Sequence, residues 1–353
     1  MKKILFITVG TEVTASSRAR IYKYRPFLKE ADFDARIIPY NNSLDARLNA
    51  LNKKRGAAIW VFNKINHFFK CLYYLTIAPR YDVIFIQRVL LPKNIFKLVK
   101  KLSKRIIFDF DDAIYLADKW SKNLFGKDKF LSRFRYTVKN ADFVIVSNKF
   151  LKEAALKLNP NVLELPTPVD TKRLIPKANT NSNGRVVIGW IGSPWATRYI
   201  VPLQETFKSL IKKYPFVKVE LVGAAPLEGW GADVTIKDWS LKDELRDLQD
   251  FDIGIMPLAD DDWCRGKGGY KLLQYMAIGI PCLASPIGLN KEIIKDGVNG
   301  FLIRNREEWD DRLSQLIRDR DLRIRMGREG RKMAEDTYSY EKNLTKLLNI
   351  LKG

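Results

Sequence analysis

Short apolar stretches of strand type alternate with helical patterns along this chain, and the alternation occurs twice. No other feature constrains the fold as much. The first series opens at residues 4–9, continues at 35–38, 83–86 and 105–110, and closes at 143–146. Each stretch is short and rich in β-branched or aromatic residues, as strands covered on both faces must be. A polar stretch, residues 177–184, reads as a linker. The rhythm then restarts at 186–191 and runs through 218–222, 253–256, 281–284 and 301–303. The expected fold is α/β, with two doubly wound Rossmann-like domains of residues 1–172 and 185–337. Such sheets take ligands outside the carboxyl ends of their strands.

Within the second series, residues 263–301 carry the strongest chemical signal. Gly266, Gly268 and Gly269 run into a helix-forming segment, residues 271–278, which stops at Gly279. Glycines let a backbone approach a ligand closely, and a helix N-terminus offers free N–H groups and a positive dipole end. Arg265 and Lys267 add two full charges there, an arrangement suited to a diphosphate. The segment is not a P-loop, because Gly266-Lys267 is followed by Gly rather than Ser or Thr. Lys271 and Gln274 are three apart and share a helix face. Gly192-Ser193-Pro194 follows the first strand of the second series, where phosphates bind in doubly wound folds. Thr197 and Arg198 follow it with a hydroxyl and a guanidinium.

These residues resemble the nucleotide-sugar signature of glycosyltransferase family 4, retaining enzymes of the GT-B fold. The resemblance rests on the glycine-led helix, on Ala277-Ile-Gly-Ile-Pro281 and Ala284-Ser-Pro-Ile-Gly288, and on Glu292, Asp296-Gly297 and Gly300-Phe301. It implies a GT-B architecture, two such domains facing each other across a cleft, with a final helix at about 338–353 crossing back to the first. Family members carry two Glu residues eight positions apart around this helix. The first falls on Gly266 here and the second on Gln274, which exchanges a charge-assisted bond to ribose for a neutral one. The resemblance implies a UDP- or GDP-sugar donor, retention of anomeric configuration, and no metal or other cofactor. It assigns Arg265 and Lys267 to the leaving diphosphate. Gly192, Ser193, Thr197, Arg198, Gly268, Gly269, Lys271 and Gln274 become donor contacts. Bacterial surface-polysaccharide assembly, of lipopolysaccharide or capsule, is the implied pathway.

Asp109-Phe110-Asp111-Asp112 ends a strand of the first domain and stays open to three readings. A D-x-D at a strand end is a metal and diphosphate site in GT-A enzymes, but those have one nucleotide-binding unit. In the GT-B reading it lies near the place where many family 4 members carry a catalytic His. The only His of this chain is His67, in an aromatic-basic helix where a packing or surface role is expected. Asp111 or Asp112 is then the candidate in its place. A solvated acidic turn is the third reading. Asp260-Asp261-Asp262 is expected to be a solvated turn and Asp252 a positioning residue. Ser16-Ser17-Arg18 and Arg20 resemble the family's first-domain loop that approaches acceptor or phosphates.

Charge is unevenly distributed. Residues 1–170 hold 32 Lys and Arg against 15 Asp and Glu, while residues 171–353 hold 30 against 25. An anionic partner of the first half is expected, either membrane or nucleic acid. Two stretches interleave cations with rings: Lys53-Lys54-Arg55 leading into Trp60, Phe62, Lys64, Phe68, Phe69, Lys70, Tyr73 and Tyr74, and residues 119–139 with Trp120, Lys122, Phe125, Lys127, Lys129, Phe130, Arg133, Phe134 and Arg135. Taken alone, Phe68-Phe69 and Tyr73-Tyr74 read as core; in this basic half, the two stretches together suit docking on an anionic membrane surface. Without a helix-turn-helix, zinc-finger or RNP signature, nucleic acid is the weaker alternative. No apolar run nears the roughly 18 residues of a bilayer span. The N-terminal apolar stretch is too short for a signal peptide. Three cysteines in no redox or metal spacing suit a reducing compartment. The expected protein is cytoplasmic, peripheral on the inner face of the membrane, and acts on a lipid-linked or oligosaccharide acceptor. A non-catalytic nucleotide-sugar-binding relative is the alternative raised by Gly266, Gln274 and the missing His. An NAD-dependent oxidoreductase is disfavoured because residues 8–17 lack G-x-G-x-x-G.

Overall fold

The computed structural model describes residues 1–41, 57–116, 127–176, 184–231 and 233–353, with their side chains except those of 57–61, 63, 64 and 127–129. Lys53, Lys54, Arg55, Lys119, Trp120, Lys122, Phe125 and residues 177–183 of the expected linker lie outside these, as do the side chains of Trp60, Lys64, Lys127 and Lys129. The chain forms two compact units. Unit 1 comprises Met1–Thr167 with Gly266–Gly268 and Leu344–Gly353; unit 2 comprises Pro168–Arg265 with Gly269–Asn343.

Unit 1 is built on the strands β1 (Lys2–Thr8), β2 (Phe33–Pro39), β3 (Val83–Gln87), β4 (Ile106–Phe110), β5 (Phe143–Val146) and β6 (Val162–Glu164). They pair in parallel in the order β2-β1-β3-β4-β5-β6. Unit 2 repeats the plan with β7 (Val186–Ile191), β8 (Val217–Val222), β9 (Val234–Lys237), β10 (Ile253–Met256), β11 (Cys282–Ala284) and β12 (Gly300–Leu302), in the order β12-β11-β10-β7-β8-β9. The central strands β3, β4 and β10 are buried at every residue, which is why they read as continuous apolar runs. The edge strands β6 and β9 are partly exposed and lack that signature, so the sequence pattern passed over them. The segment between β1 and β2 forms three short pieces, Ala15–Arg20, a 3-10 turn at Tyr22–Tyr24, and Arg25–Glu30. Pro26, which has no N–H to give, sits in the first turn of the last piece.

Two glycines let aromatic rings lie directly on the unit 2 sheet. A Cβ on Gly189 would fall 1.9 Å from the Phe251 ring, and one on Gly254 would fall 2.4 Å from the Tyr275 ring. The buried Tyr275 hydroxyl accepts from Ile191 N (3.1 Å) and donates to Ile255 O (3.2 Å). This one side chain fixes the Tyr270–Ala277 helix against the ends of β7 and β10. The other side of that helix meets the Arg320–Thr337 helix, where Gly327 packs so closely that a Cβ would lie 1.9 Å from Gly279 O. Gly279 itself takes a left-handed φ of 73°, ending the helix where the sequence marks a stop.

In unit 1 the connections from β2 to β3 and onward to β6 all step the same way across the sheet. Right-handed crossovers therefore place the helices Ala57–Ile77, Lys93–Leu102, Lys127–Asn140 and Lys149–Leu156 on one face. Neighbouring members of the first three pack on one another. The core reading of Phe68-Phe69 and Tyr73 does not hold: they are 57%, 62% and 40% exposed, and only Tyr74 is buried. Phe62, Ile65, Phe69 and Leu72, spaced at three and four residues, are exposed along the same helix. The helix turns Cys71, Tyr74 and Ile77 inward to the sheet and leaves the rings outward. His67 stacks on Tyr40 with centroids 4.8 Å apart, the packing role expected of it.

Candidate functional site

At the carboxyl ends of β3 and β4, unit 1 collects a buried set of charges. Asp109 accepts from Arg20 at both oxygens, Nε to Oδ2 at 2.8 Å and Nη2 to Oδ1 at 2.5 Å. Arg20 Nη1 also donates to Leu165 O and Thr167 Oγ1. Burial by itself would lower the Arg20 pKa, but Asp109 holds it above its ordinary value; burial raises that of Asp109. Arg20 is thus a structural cation, and the loop before it is likewise committed. Ser17 Oγ accepts from Gly10 N and donates to Gln87 Oε1, Ser16 Oγ accepts from Gln87 Nε2, and Arg18 donates to Glu12 O and Val13 O.

One step outward stands Arg88, which the sequence reading did not single out. Its Nη1 lies 3.2 Å from Asp111 Oδ1 and 3.0 Å from Asp112 Oδ2, bridging the two candidate carboxylates. Its backbone takes a positive φ of 59°, rare for a residue with a Cβ, and its N–H donates to Asp109 O at 2.8 Å. Strain of that kind costs about 1–3 kcal/mol and gathers at functional sites. Burial raises the Asp112 pKa, against the opposing pull of Arg88 and Lys267. An arginine-bridged pair replaces the solvated turn, with Asp111 8% exposed and Asp112 half-buried.

The glycine-rich segment meets this set. Asn148 Nδ2 donates to Gly266 O (3.1 Å) and Lys267 O (3.2 Å), while its Oδ1 caps the Lys149–Leu156 helix by accepting from Leu151 N. A Cβ on Gly266 would come within 2.7 Å of Ala113, so a Glu at this position would not fit the packing found here. Ser147 Oγ donates to Asp111 O at 3.0 Å and fixes the acidic turn from below. Lys267 acts electrostatically on Asp112. Asn148 and Ser147 were missed because their partners lie far away in sequence.

Unit 2 carries the second set, at the end of β7. The Lys271 ammonium sits 4.2 Å from the centre of the Trp190 ring, and a Cβ on Gly192 would lie 2.6 Å from its nitrogen. Gly192 therefore leaves open the space in which the cation crosses the strand end. Gly223, with φ at 75°, packs backbone to backbone on Gly192. Thr197 is buried and its Oγ1 accepts from Ala225 N at 2.8 Å, tying the following loop down. The Arg198 guanidinium lies 3.5 Å over Trp195 and donates to the Tyr199 hydroxyl, and Trp195 meets Trp263 edge-on at 5.4 Å. Ser193 is exposed at the turn. Gly269 takes the left-handed N-cap position of the Tyr270–Ala277 helix, and Gly268 neighbours Thr167, Ser147 and Asp111 O in unit 1.

Gln274 is 3% exposed, and its Nε2 has no hydrogen-bond partner among the described residues. An unsatisfied buried donor costs about 1–3 kcal/mol. Arg265, expected at a diphosphate, instead pairs with Asp260 (2.8 Å) and Asp262 (3.1 Å), while Asp261 caps the short helix by accepting from Cys264 N. Asp260 and Asp262 are exposed, as expected of a solvated turn, and hold the exposed Arg265 between them. Asp252 accepts from Val187 N at 2.9 Å and positions β7, as expected. Among the described residues, no group of three or more His, Cys, Asp and Glu side chains is placed to hold a metal ion.

Comparison with known proteins bears on this geometry. Residues 200–333 match the family model described as Glycosyl transferases group 1. Spore coat protein SA of Bacillus subtilis (strain 168) is 31% identical over 80 residues, a stretch covering 22% of this chain and about a fifth of the relative (21%). Sucrose-phosphate synthase from Thermosynechococcus elongatus superposes with a TM-score of 0.70 at 13% identity, over 100% of this chain and 98% of that one. Anabaena Alr3699/HepE in complex with UDP-glucose superposes with a TM-score of 0.67 at 15% identity, over 100% of both chains. At such identities the likeness is one of fold, and that fold is the α/β two-domain GT-B plan. Apart from Gly266–Gly268, the family match falls within unit 2.

Proposed function

We propose that the chain is a metal-independent, retaining glycosyltransferase. It moves a sugar from a UDP- or GDP-sugar to a hydroxyl of a lipid-linked glycan acceptor in cell-surface polysaccharide assembly. The observation that carries the donor reading is the Lys271 ammonium lying over Trp190 across the glycine gap at Gly192. A cation, a glycine backbone and a helix N-terminus at one strand end suit a nucleoside diphosphate. The unpartnered Gln274 Nε2 is a donor awaiting an acceptor, and a ribose hydroxyl supplies one. Anabaena Alr3699/HepE, of the same fold, was solved with UDP-glucose, which favours the UDP branch.

In this reading the chemistry belongs to Asp111, Asp112 and Lys267. Asp111 or Asp112 accepts hydrogen bonds from the transferred sugar and stabilises the positive charge that develops on it. Lys267 offsets negative charge on the departing diphosphate, a role that cations fill where no metal does. Arg265 must first leave Asp260 and Asp262 to join it. Retention rests on the family 4 resemblance. Paired carboxylates support the metal-free reading, since Arg20 and Arg88 already provide their counter-charge.

The membrane part of the proposal rests on the helix face of unit 1. Phe62, Ile65, Phe68, Phe69, Leu72, Leu98, Leu102, Phe130 and Leu156 are all exposed on its four helices, in the half of the chain with the larger cation excess. Among the described residues no helix is long and apolar enough to cross a membrane. Rings at headgroup depth with cations around them give reversible docking on an anionic inner leaflet, at about 1 kcal/mol per facing cation.

Calorimetric titration with UDP, GDP, ADP and their sugar derivatives, with and without EDTA, tests the donor reading. Selective binding of one base that survives EDTA is expected. Binding abolished by EDTA would overturn metal independence. Binding without transfer or hydrolysis would favour the non-catalytic relative, the reading that Gly266 and Gln274 keep open.

A further inference from the structure

We infer that the groove between the Lys93–Leu102 and Lys127–Asn140 helices seats the phosphate headgroup of a single anionic lipid. The groove measures about 570 Å³ and is lined by Lys93, Leu131, Ser132, Arg135, Tyr136, Lys139 and Leu158. That volume lies within the range of small-ligand sites. Three of the lining residues are cations and none is a carboxylate. Lys93, Arg135 and Lys139 make no ion pair among the described residues, whereas Lys100 and Lys104 nearby are paired with Asp142 and Asp82. Cations gathered around one depression repel each other unless an anion joins them. A phosphodiester supplies that charge and accepts from the ammonium and guanidinium donors.

The rest of the lining selects an amphiphile over a free anion. Leu131, Leu158 and the Tyr136 ring give the groove an apolar wall, and the Lys93 ammonium stands 6.0 Å over that ring. Exposed Phe130 directly precedes Leu131, and exposed Leu156 lies two residues before Leu158. The apolar wall of Leu131, Leu158 and Tyr136 is what the first methylenes of an acyl chain would meet. The groove stands on the helix face, apart from the Arg88, Asp111 and Asp112 set at the strand ends. The inference rests on the membrane reading above and gives it a specific lipid contact in place of diffuse attraction.

Calorimetry of the full chain with dihexanoyl phosphatidylglycerol below its micelle concentration tests the seat. Dihexanoyl phosphatidylcholine and inorganic phosphate serve as the comparison ligands. Saturable binding of the phosphatidylglycerol is expected, at least tenfold tighter than of either comparison. Lys93→Ala/Arg135→Ala/Lys139→Ala should lose at least tenfold in that affinity; Lys139→Glu, a single exposed change, is the second variant and should weaken it in the same direction. Phe69→Ser/Leu72→Ser, on another helix, should leave it unchanged while reducing sedimentation with phosphatidylglycerol vesicles. Wild-type affinity in both charge variants would overturn the seat. So would phosphate binding as tightly as the lipid, which marks a free-anion site, or equal binding of the zwitterionic lipid. Vesicle sedimentation without short-chain lipid binding overturns the seat and leaves the membrane reading standing; the converse result overturns the membrane reading alone.

Discussion

Lys267 reaches its place through its main chain. Asn148 holds the carbonyls of Gly266 and Lys267, so the Lys267 side chain can be removed while its backbone clamp remains. Lys267→Ala is therefore expected to keep the wild-type melting temperature and lower turnover about 10²–10³-fold, the scale of losing one charge-stabilising group. Steady-state kinetics with the donor identified by calorimetry checks this; wild-type turnover would remove Lys267 from the reaction. Asp112 gives a prediction in pH. Its pKa is raised on folding, mainly by burial. Its contribution to stability is therefore fully present below the unfolded value of 3.8 and is lost as pH rises through the folded value. Asp112→Asn should not destabilise the fold near pH 7, and should remove a gain in stability that the parent shows as pH falls toward 4. Urea denaturation of both proteins at several pH values measures the difference, and parallel curves would contradict it. Burial also pushes the Cys282 thiol well up, so it is expected to resist thiol reagents until the chain unfolds.

Among elements, the Tyr270–Ala277 helix shows what a sequence can and cannot disclose. Its glycine entry, its apolar face and its stop at Gly279 are local, and all three are legible from spacing alone. The contacts that aim it are not: Tyr275 reaches Ile191 and Ile255, and Gly327 admits it from a helix some fifty residues away. Gly327→Ala tests that packing. In an exposed helix the change would gain about 1 kcal/mol of helix propensity. Here the new Cβ meets the Gly279 carbonyl at 1.9 Å, and overpacking of this kind costs about 1–3 kcal/mol or more. A lowered melting temperature and weaker nucleotide binding are expected, and a stabilised variant would show that the packing yields. The same division of local and distant explains the unit 1 site. Asp109 to Asp112 stood out as a run of carboxylates, but Arg88 and Asn148 become partners only when β3, β4 and β5 lie side by side. For the rings of Ala57–Ile77, the core reading of Phe68-Phe69 and Tyr73 taken alone failed for the opposite reason, while the exposed rings fit the reading of the whole stretch. Aromatic content favours burial on average, and only the sheet decides which side of a helix is inside.

For the molecule as a whole, charge and apolar exposure fall on the same unit. Sedimentation with vesicles containing phosphatidylglycerol is expected to weaken steeply from 0.05 to 0.5 M salt, because the Debye length is about 10 Å at 0.1 M and shrinks to about 3 Å at 1 M. Phosphatidylcholine vesicles should pellet little of the protein at any salt. Salt-independent binding would mean that the exposed rings act alone. Donor binding through Lys271, Gly192 and Gln274 of unit 2, as proposed, should be insensitive to the lipid.

Unit 1 is not completed by its first 167 residues. Asn148 waits for Gly266 and Lys267, while Lys2 and Arg105 donate to the carbonyls of Lys352 and Ile350 at 2.6 and 2.5 Å. A ribosome releases β1 to β6 first, then Gly266 and Lys267 midway through unit 2, and the Ile350 and Lys352 carbonyls only after all of it. The nascent N-terminal half therefore emerges with the Asn148 amide and the Arg105 guanidinium lacking the carbonyls they bond in the folded chain. A fragment ending at residue 167 should behave like that nascent state rather than like an isolated domain.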